Sequence, residues 1–372
     1  MTPQDLAELY LLSRSLWWRH ELGLLSDQAV SELIKVLRSA RAGIVAQIEA
    51  EAQGLASISE WTRERNDQIS AWIDDVLAGT SASVTSYISE ASVGVALASV
   101  ATYNSILSFD GKAKAVKLVE GLTREQVKQF FQDQPLGGKL LSDWVGNAFS
   151  TGARDSILDA IREGVVMGEG YRKLVKRVMT AADAGFSITQ REATTLVQTY
   201  VQSANTGAQE AVYEQNEGII KGYKRVETLD NRTCRICALA DGTVYGKNEK
   251  RPELPAHPNC RGVWLPLLKS FQEIGLNIDE LEEVARPWTI REQGPIGTGG
   301  RKILNFGTTK ENFGGWWESL SAEDKLKTSV GPVRGRLLQE GLVRWEDLSD
   351  KRTGLPYTLE QLGFDEQGNP LR

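Results

Sequence analysis

All three cysteines of this 372-residue chain, and one of its only two histidines, fall within 27 residues. The stretch reads Cys234-Arg235-Ile236-Cys237, nineteen residues, then His257-Pro258-Asn259-Cys260. Two short-spaced pairs joined by a loop are what one tetrahedral ion needs from a single segment. Cys-x-x-Cys on a tight turn brings two sulfurs to one ion, and His-x-x-Cys does the same from the other side. Zn²⁺ accepts mixed sulfur and nitrogen ligation, and a Cys₃His set fills four positions and leaves none open. The expected ion is therefore structural, held by Cys234, Cys237, His257 and Cys260. It would supply what about fifty residues of β-rich chain cannot supply by burial alone. Lys221, Lys224, Arg225, Arg232, Arg235 and Arg261 would lower nearby thiolate pKa values. Two alternatives stay open. The cysteines can be small packed residues with His257 donating a hydrogen bond in a rigid loop. A redox Cys-x-x-Cys is the other, although no βαβ pattern surrounds it.

Cysteine usage of this kind fits a reducing cytoplasm, where paired thiols bind metal more often than they cross-link. The first residues show no basic segment followed by an apolar one, so no secretory signal is expected. The longest apolar runs are broken by Ser, Gly or charge, so no membrane contact is expected. The net charge is −6 and uneven. Residues 1–110 hold 7 Lys/Arg against 14 Asp/Glu, whereas residues 219–262 hold 9 against 5. The whole chain lacks the basic balance of a dedicated nucleic-acid binder, while the cysteine segment can touch phosphates locally.

The pattern predicts a mainly α fold with a small α+β zinc-stapled module and an elongated N-terminal helical region. Val30, Leu33, Ile34, Leu37, Ile44, Val45 and Ile48 recur at three and four. Ser57 and Glu60 form a capping-box candidate ahead of Trp61, Ile69, Trp72, Ile73 and Val76, with Gly79 as the expected stop. Ala82 to Ala101 is rich in small residues and poor in periodicity. Gly111 marks a break. Thr123 and Gln126 form a second capping box, and Pro135, Gly137 and Gly138 interrupt the chain. Leu140, Leu141, Trp144, Val145, Ala148 and Phe149 give another stripe. Ile157, Leu158, Ile161 and Val165 give one more, closed by Gly168 and Gly170. Thr189 and Glu192 are expected to cap a helix through Leu196, Val197, Tyr200, Val201, Ala204, Ala208, Ala211 and Val212 that stops near Gly218. Short strands are expected at Tyr223–Thr228, at Thr243–Tyr245 after an Asp241-Gly242 turn, and at Val263–Leu265, stopped by Pro266. A helix from Ile278 to Ala285, a Gly-rich loop from Gly294 to Gly307, and short helices and turns follow. The expected domains are 1–110 (helical arm), 111–218 (helical domain), 219–270 (Cys₃His module) and 271–372 (mixed tail).

The residues around the module resemble the bacteriophage Mu F-like minor head protein family, also called the phage head morphogenesis family. The resemblance rests on Thr228-Leu229-Asp230-Asn231-Arg232-Thr233-Cys234-Arg235-Ile236-Cys237, on Leu239-Ala240-Asp241-Gly242, and on Pro255-Ala256-His257-Pro258-Asn259-Cys260-Arg261. The tail is similar less specifically, through Phe313-Gly314-Gly315-Trp316-Trp317, Ser329-Val330-Gly331-Pro332-Val333-Arg334, Asp347-Leu348 and Gly354-Leu355-Pro356-Tyr357-Thr358-Leu359. Together these cover roughly residues 185 to 365. Gly262 stands where the family often has a further cysteine, so Cys260 must complete the ligand set. Val197-Gln198-Thr199-Tyr200 replaces the family's Ala-Arg-Thr-Glu element.

The resemblance implies a structural minor capsid protein of a tailed phage, assembled in the host cytoplasm and located in the virion head. Its implied partners are the portal protein at the portal vertex, other capsid or scaffold proteins, and genomic DNA during packaging or ejection. No enzymatic activity and no catalytic residue are expected. The rival reading is a zinc-stabilised nuclease or other nucleic-acid-processing enzyme. Such an enzyme needs further histidines, and the other one, His20, lies in the acidic arm and reads as a surface side chain. A carboxylate-only metal site at Glu227, Asp230 and Asp241 stays open. A zinc-dependent DNA-binding regulator would need a basic recognition helix, which is missing. Gly297-Thr298-Gly299-Gly300-Arg301-Lys302 lacks P-loop spacing and reads as a loop. Trp17-Trp18 is the best interface candidate among the tryptophans.

Overall fold

The computed structural model describes residues 3–53, 63–113, 115–120, 123–133, 139–167, 169, 171–269, 286–291 and 303–371. The protein is mainly helical with two small sheets. Three long helices dominate: α1 (Pro3–Gln53), α2 (Arg63–Leu107) and α6 (Tyr171–Gln215). Their buried positions recur every eleven residues: Leu11, Leu22, Leu33 and Ile44 in α1; Ile73, Val84, Val95 and Ile106 in α2; Val178, Thr189 and Tyr200 in α6. Eleven residues make about three α-helical turns, so one face stays buried along a nearly straight helix.

Several boundaries differ from the sequence reading. Gly79 lies inside α2, with no left-handed backbone conformation, and the helix runs on to Leu107. Burying Ile73, Leu77, Val84 and Ile88 outweighs the roughly 1 kcal/mol that a helical glycine costs. The poor periodicity of Ala82–Ala101 has a cause. Ser92 and Ser99 occupy buried stripe positions, and the Ser92 hydroxyl donates to Ile88 O at 2.8 Å. Within Asp67–Leu107, α2 is also long and apolar enough to cross a membrane by length and composition, contrary to the sequence reading. Half of the 18-residue window that meets this criterion is already buried within the structure. Thr189 is no cap, because α6 begins at Tyr171; its buried hydroxyl lies 3.1 Å from both Gly185 O and Ala148 O. The Thr123–Gln126 capping box does form, at 2.9 and 3.2 Å. After α2 the chain turns through left-handed Phe109, Asp110 and Gly111. The Ser57–Glu60 box with Trp61, the interruption at Pro135, Gly137 and Gly138, Gly168 and Gly170, the Ile278–Ala285 helix and the Gly297–Lys302 stretch lie outside the described residues.

The chain divides into two compact units, one of residues 22–97 and 122–204 and one of residues 1–21, 98–121 and 205–372. Among the described residues, the elements of the first are all helices. It adds α3 (Arg124–Asp133), α4 (Leu141–Phe149), a π-helical turn (Ser150–Arg154) and α5 (Asp155–Val166) to parts of the long helices. The π-helical turn meets α6 where both lack a side chain: a Cβ on Gly185 would stand 2.6 Å from Gly152 O. Arg154 grips Asp74 with two hydrogen bonds, at 2.7 and 3.1 Å.

The second unit holds the cysteines. Strand β1 (Ile220–Val226) pairs antiparallel with β3 (Val244–Gly246) and with β4 (Val263–Leu268), in the order β3-β1-β4. Pro266 does not stop β4 but sits within it opposite Tyr223. β4 is an edge strand, where the missing proline N–H costs no ladder bond. Strand β2 (Leu229–Asp230) opens a second sheet with β5 (Arg286–Arg291) and β6 (Ile303–Thr309), the latter occupying the end of the expected Gly-rich loop. Helix α7 (Arg235–Ala240) follows β2. The tail forms α8 (Phe313–Ser319), α9 (Ala322–Leu326), α10 (Pro332–Gln339) and a 3₁₀ turn (Trp345–Asp347). Phe313, Trp316, Trp317, Leu320 and Val330 pack with Leu229, Ala238 and Ile290 in one core, flanked by Trp288 and Trp345. Of the tail residues that resemble the family, Phe313, Trp316, Trp317 and Val330 are therefore core residues of the cysteine unit.

Of the tryptophan pair, Trp18 is buried and its Nε1 donates to Asn205 Oδ1 at 2.9 Å. Only Trp17 remains exposed, with the Arg14 guanidinium 5.3 Å over its ring. Trp264 anchors the three-stranded sheet. It is 2% exposed, its carbonyl accepts from Tyr213 OH at 3.0 Å, and Tyr245 packs edge-on at 5.3 Å.

Candidate metal centre

Cys234 is the N-cap of α7, its Sγ accepting the Cys237 N–H at 3.5 Å. Capping thus aims both sulfurs the same way. The second pair sits on a turn closed by Cys260 N–H donating to His257 O at 3.1 Å. Asn259 takes the left-handed position with φ 61°, which asparagine tolerates better than most residues. His257 Nε2 then lies 3.0 Å from Cys234 Sγ and 3.2 Å from Cys237 Sγ. Its Nδ1 lies 2.7 Å from Pro258 O. A carbonyl only accepts, so Nδ1 carries the proton there and Nε2 is the nitrogen turned to the sulfurs.

Cys234, Cys237 and His257 form one group with ligand atoms within 4.8 Å of one another. Cys260 touches this group through Cys237 alone, at 3.8 Å between sulfurs. That separation matches the edge of a tetrahedron with metal–sulfur bonds of about 2.3 Å. The donor set of thiols and one imidazole suits Zn²⁺ in chemistry and spacing.

Sulfur electrostatics follow from proximity. Hydrogen bonding from Cys237 holds the Cys234 and Cys260 thiols down to about 4, with Arg225 adding to the effect at Cys260. Cys237 moves the other way, since its proton is shared with both neighbours. His257 is raised to about 9 by its contact with Cys234. Of the six basic residues expected to favour thiolates, Arg225 reaches them: its Nη2 lies 3.8 Å from Cys237 Sγ and 3.7 Å from Cys260 Sγ.

Ion pairs with buried carboxylates surround the cysteines. Arg225 Nε donates to Glu227 Oε1 at 2.6 Å. Arg261 binds Asp230 through two bonds of 2.7 Å. Arg286 binds Asp241 at 2.7 and 2.9 Å and also donates to Glu227 O. Asp241 additionally accepts the Glu227 N–H at 2.7 Å and the Phe313 N–H at 2.6 Å. Each carboxylate of the open cation-site reading thus holds an arginine, whose charge opposes a divalent ion there. Asp241, read from sequence as a turn residue, ties the cysteine segment to β5 and α8. His20 is exposed on α1.

Gly262 has a steric explanation. A Cβ there would stand 2.7 Å from Arg225 Nη2 and closer still to Glu227 Oε1. The Arg225–Glu227 pair occupies the space that a side chain at position 262 would need. The signal was in the sequence: residues 225 and 227 lie two apart, on one side of an extended chain.

Residues 155–265 match the family model described as Phage Mu protein F like protein. The match makes this segment, less than a third of the chain, similar to Mu F-like phage proteins. It runs from α5 through α6 and the cysteine segment into β4, and the tail resemblance lies beyond it. No curated protein and no solved structure matches the chain.

Proposed function

We propose that this chain is a minor structural protein of a tailed-phage head that acts at the portal vertex during head assembly and contacts genomic DNA in packaging or ejection. The observation that carries this reading is the family match, whose span includes both halves of the Cys/His cluster. Cys234, Cys237, His257 and Cys260 hold a structural Zn²⁺ in it. The ion supplies a cross-link between the start of α7 and the 257–260 turn, and the residues do the rest. Arg225 neutralises sulfur charge, the Nδ1–H of His257 fixes the ring, and Asp241 fastens the tail to the module. The protein's partners are the portal and other head proteins, with the virion head as its location.

The test is co-purification of the affinity-tagged protein from infected cells. The reading expects portal protein in the eluate and the tagged chain in assembled heads. Recovery of neither, from a phage that still makes infectious heads, would overturn it.

A further inference from the structure

Between Asp75 and Glu90, helix α2 runs for fourteen residues, Val76 to Ser89, without a charge. Part of this run is core, but Ala78, Gly79, Ala82, Ser83 and Ser86 are exposed. They recur at three and four, so a small, uncharged ridge faces outward. Elsewhere about a quarter to a third of a protein surface is charged residues. Beside the ridge runs a groove of about 830 Å³, with Leu77, Ala82 and Ser89 of α2 on one side and Leu141, Gly146 and Phe149 on the other. Its α2 wall extends from Asp74 to Ser89, about 22 Å or roughly four helical turns. A Cβ on Gly79 of the ridge or on Gly146 of the groove would meet none of the described residues within 4 Å.

Ser89 is 4% exposed and forms part of the groove wall, and its Oγ bonds to nothing among the described residues. A buried hydroxyl without a partner is unfavourable, and a polar group seated in the groove meets that need. The ends of the groove are opposite in charge. At one end Arg154 is shared between Asp74 and Asp155, beside Asp75: three carboxylates to one guanidinium. At the other Glu90 is shared between Arg124 and Lys128: two cations to one carboxylate. Ridge and groove thus lie on one element whose two ends complement each other. A second α2 laid antiparallel puts each ridge into the other's groove and each acidic end against a basic one. A parallel α2 would set like charge on like.

We propose that this face of α2 joins two copies of the chain, packed antiparallel about a two-fold axis that passes near Ala82, midway between Asp74 and Glu90. Both copies then use the same patch, as a closed two-fold pair requires. Ser89 of one copy falls opposite Asp75 of the second copy, whose carboxylate is an acceptor for the hydroxyl. The small side chains of the ridge let the two helices approach closely. The pairing stands independently of the phage-head reading and of the zinc site.

The test is sedimentation equilibrium of the full-length protein over a wide concentration range. Wild type is expected to show a reversible monomer–dimer equilibrium. Ala82→Glu puts two like charges at the crossing and is expected to raise the dimer dissociation constant by about tenfold or more. Circular dichroism checks that it folds, and Ser83→Arg, on the same exposed ridge, takes its place if it does not. Asp75→Lys and Lys128→Glu are each expected to weaken the dimer, and the two together to restore it, because the ends exchange their charges. A wild-type protein that stays monomeric at every concentration would overturn the proposal. So would a dimer indifferent to both ridge variants, which would place the contact elsewhere. Failure of the charge exchange to restore the dimer would overturn the antiparallel arrangement. Binding of purified portal protein by a monomeric chain, lost in Ala82→Glu, would replace the second copy as the occupant of this face.

Discussion

Arg225 and Glu227 form a buried ion pair, 2.6 Å apart, whose free guanidinium edge faces the sulfurs of Cys237 and Cys260. The side chains are 3% and 1% exposed, so neither charge has water to fall back on. Glu227→Ala removes the carboxylate partner of Arg225, leaving it the sulfurs alone, and is expected to destabilise the cysteine unit by about 3–5 kcal/mol. Denaturant unfolding followed by tryptophan fluorescence measures this, and an unchanged midpoint would show that the pair is dispensable.

Gly262→Ala places a methyl group against the same pair. Overpacking of this kind costs about 1–3 kcal/mol. Combining Gly262→Ala with Glu227→Ala should cost less than the sum, because the second change removes an atom in the way. Strict additivity in a double-mutant cycle would mean the two positions do not meet.

Asp241 accepts from Arg286, Glu227 N–H and Phe313 N–H at once. Asp241→Ala is expected to loosen β5 and α8 from the module while leaving the four candidate ligands in place. Hydrogen exchange should accelerate at the Phe313 amide well before it does in α6. Equal protection of that amide in the variant would remove Asp241 from this role.

Burial pushes the Asp230 carboxyl up, but Arg261 outweighs it and the folded value lies below the ordinary one. A depressed carboxyl contributes stability that is fully present above about pH 4 and is lost as pH falls through the lower folded value. Asp230→Asn should therefore flatten the acid limb of the stability curve below pH 4 and lower stability at pH 7. An acid limb identical to wild type would contradict the assignment.

The cysteine module was legible because its information is local. Cys234 caps the helix that carries Cys237, and both residue spacings fit tight turns. The ends of the long helices were harder to read. Buried serines in α2 and Thr189 in α6 hide stripe positions from an apolar count, and Gly79 imitates a stop that packing overrides. The second sheet was missed, because β2 is two residues long and pairs with β5, some sixty positions away. Arg286 and Asp241 likewise become partners only once the chain has folded. Trp316 and Trp317 were visible as a motif, but their burial against Leu229 and Ala238 was not.

Metal content of the purified full-length protein tests the central claim, that Cys234, Cys237, His257 and Cys260 hold a structural zinc ion. About one equivalent of zinc is expected, lost in Cys237→Ser together with the fold of the cysteine unit. Less than about a tenth of an equivalent in a normally folded wild-type protein would contradict the claim.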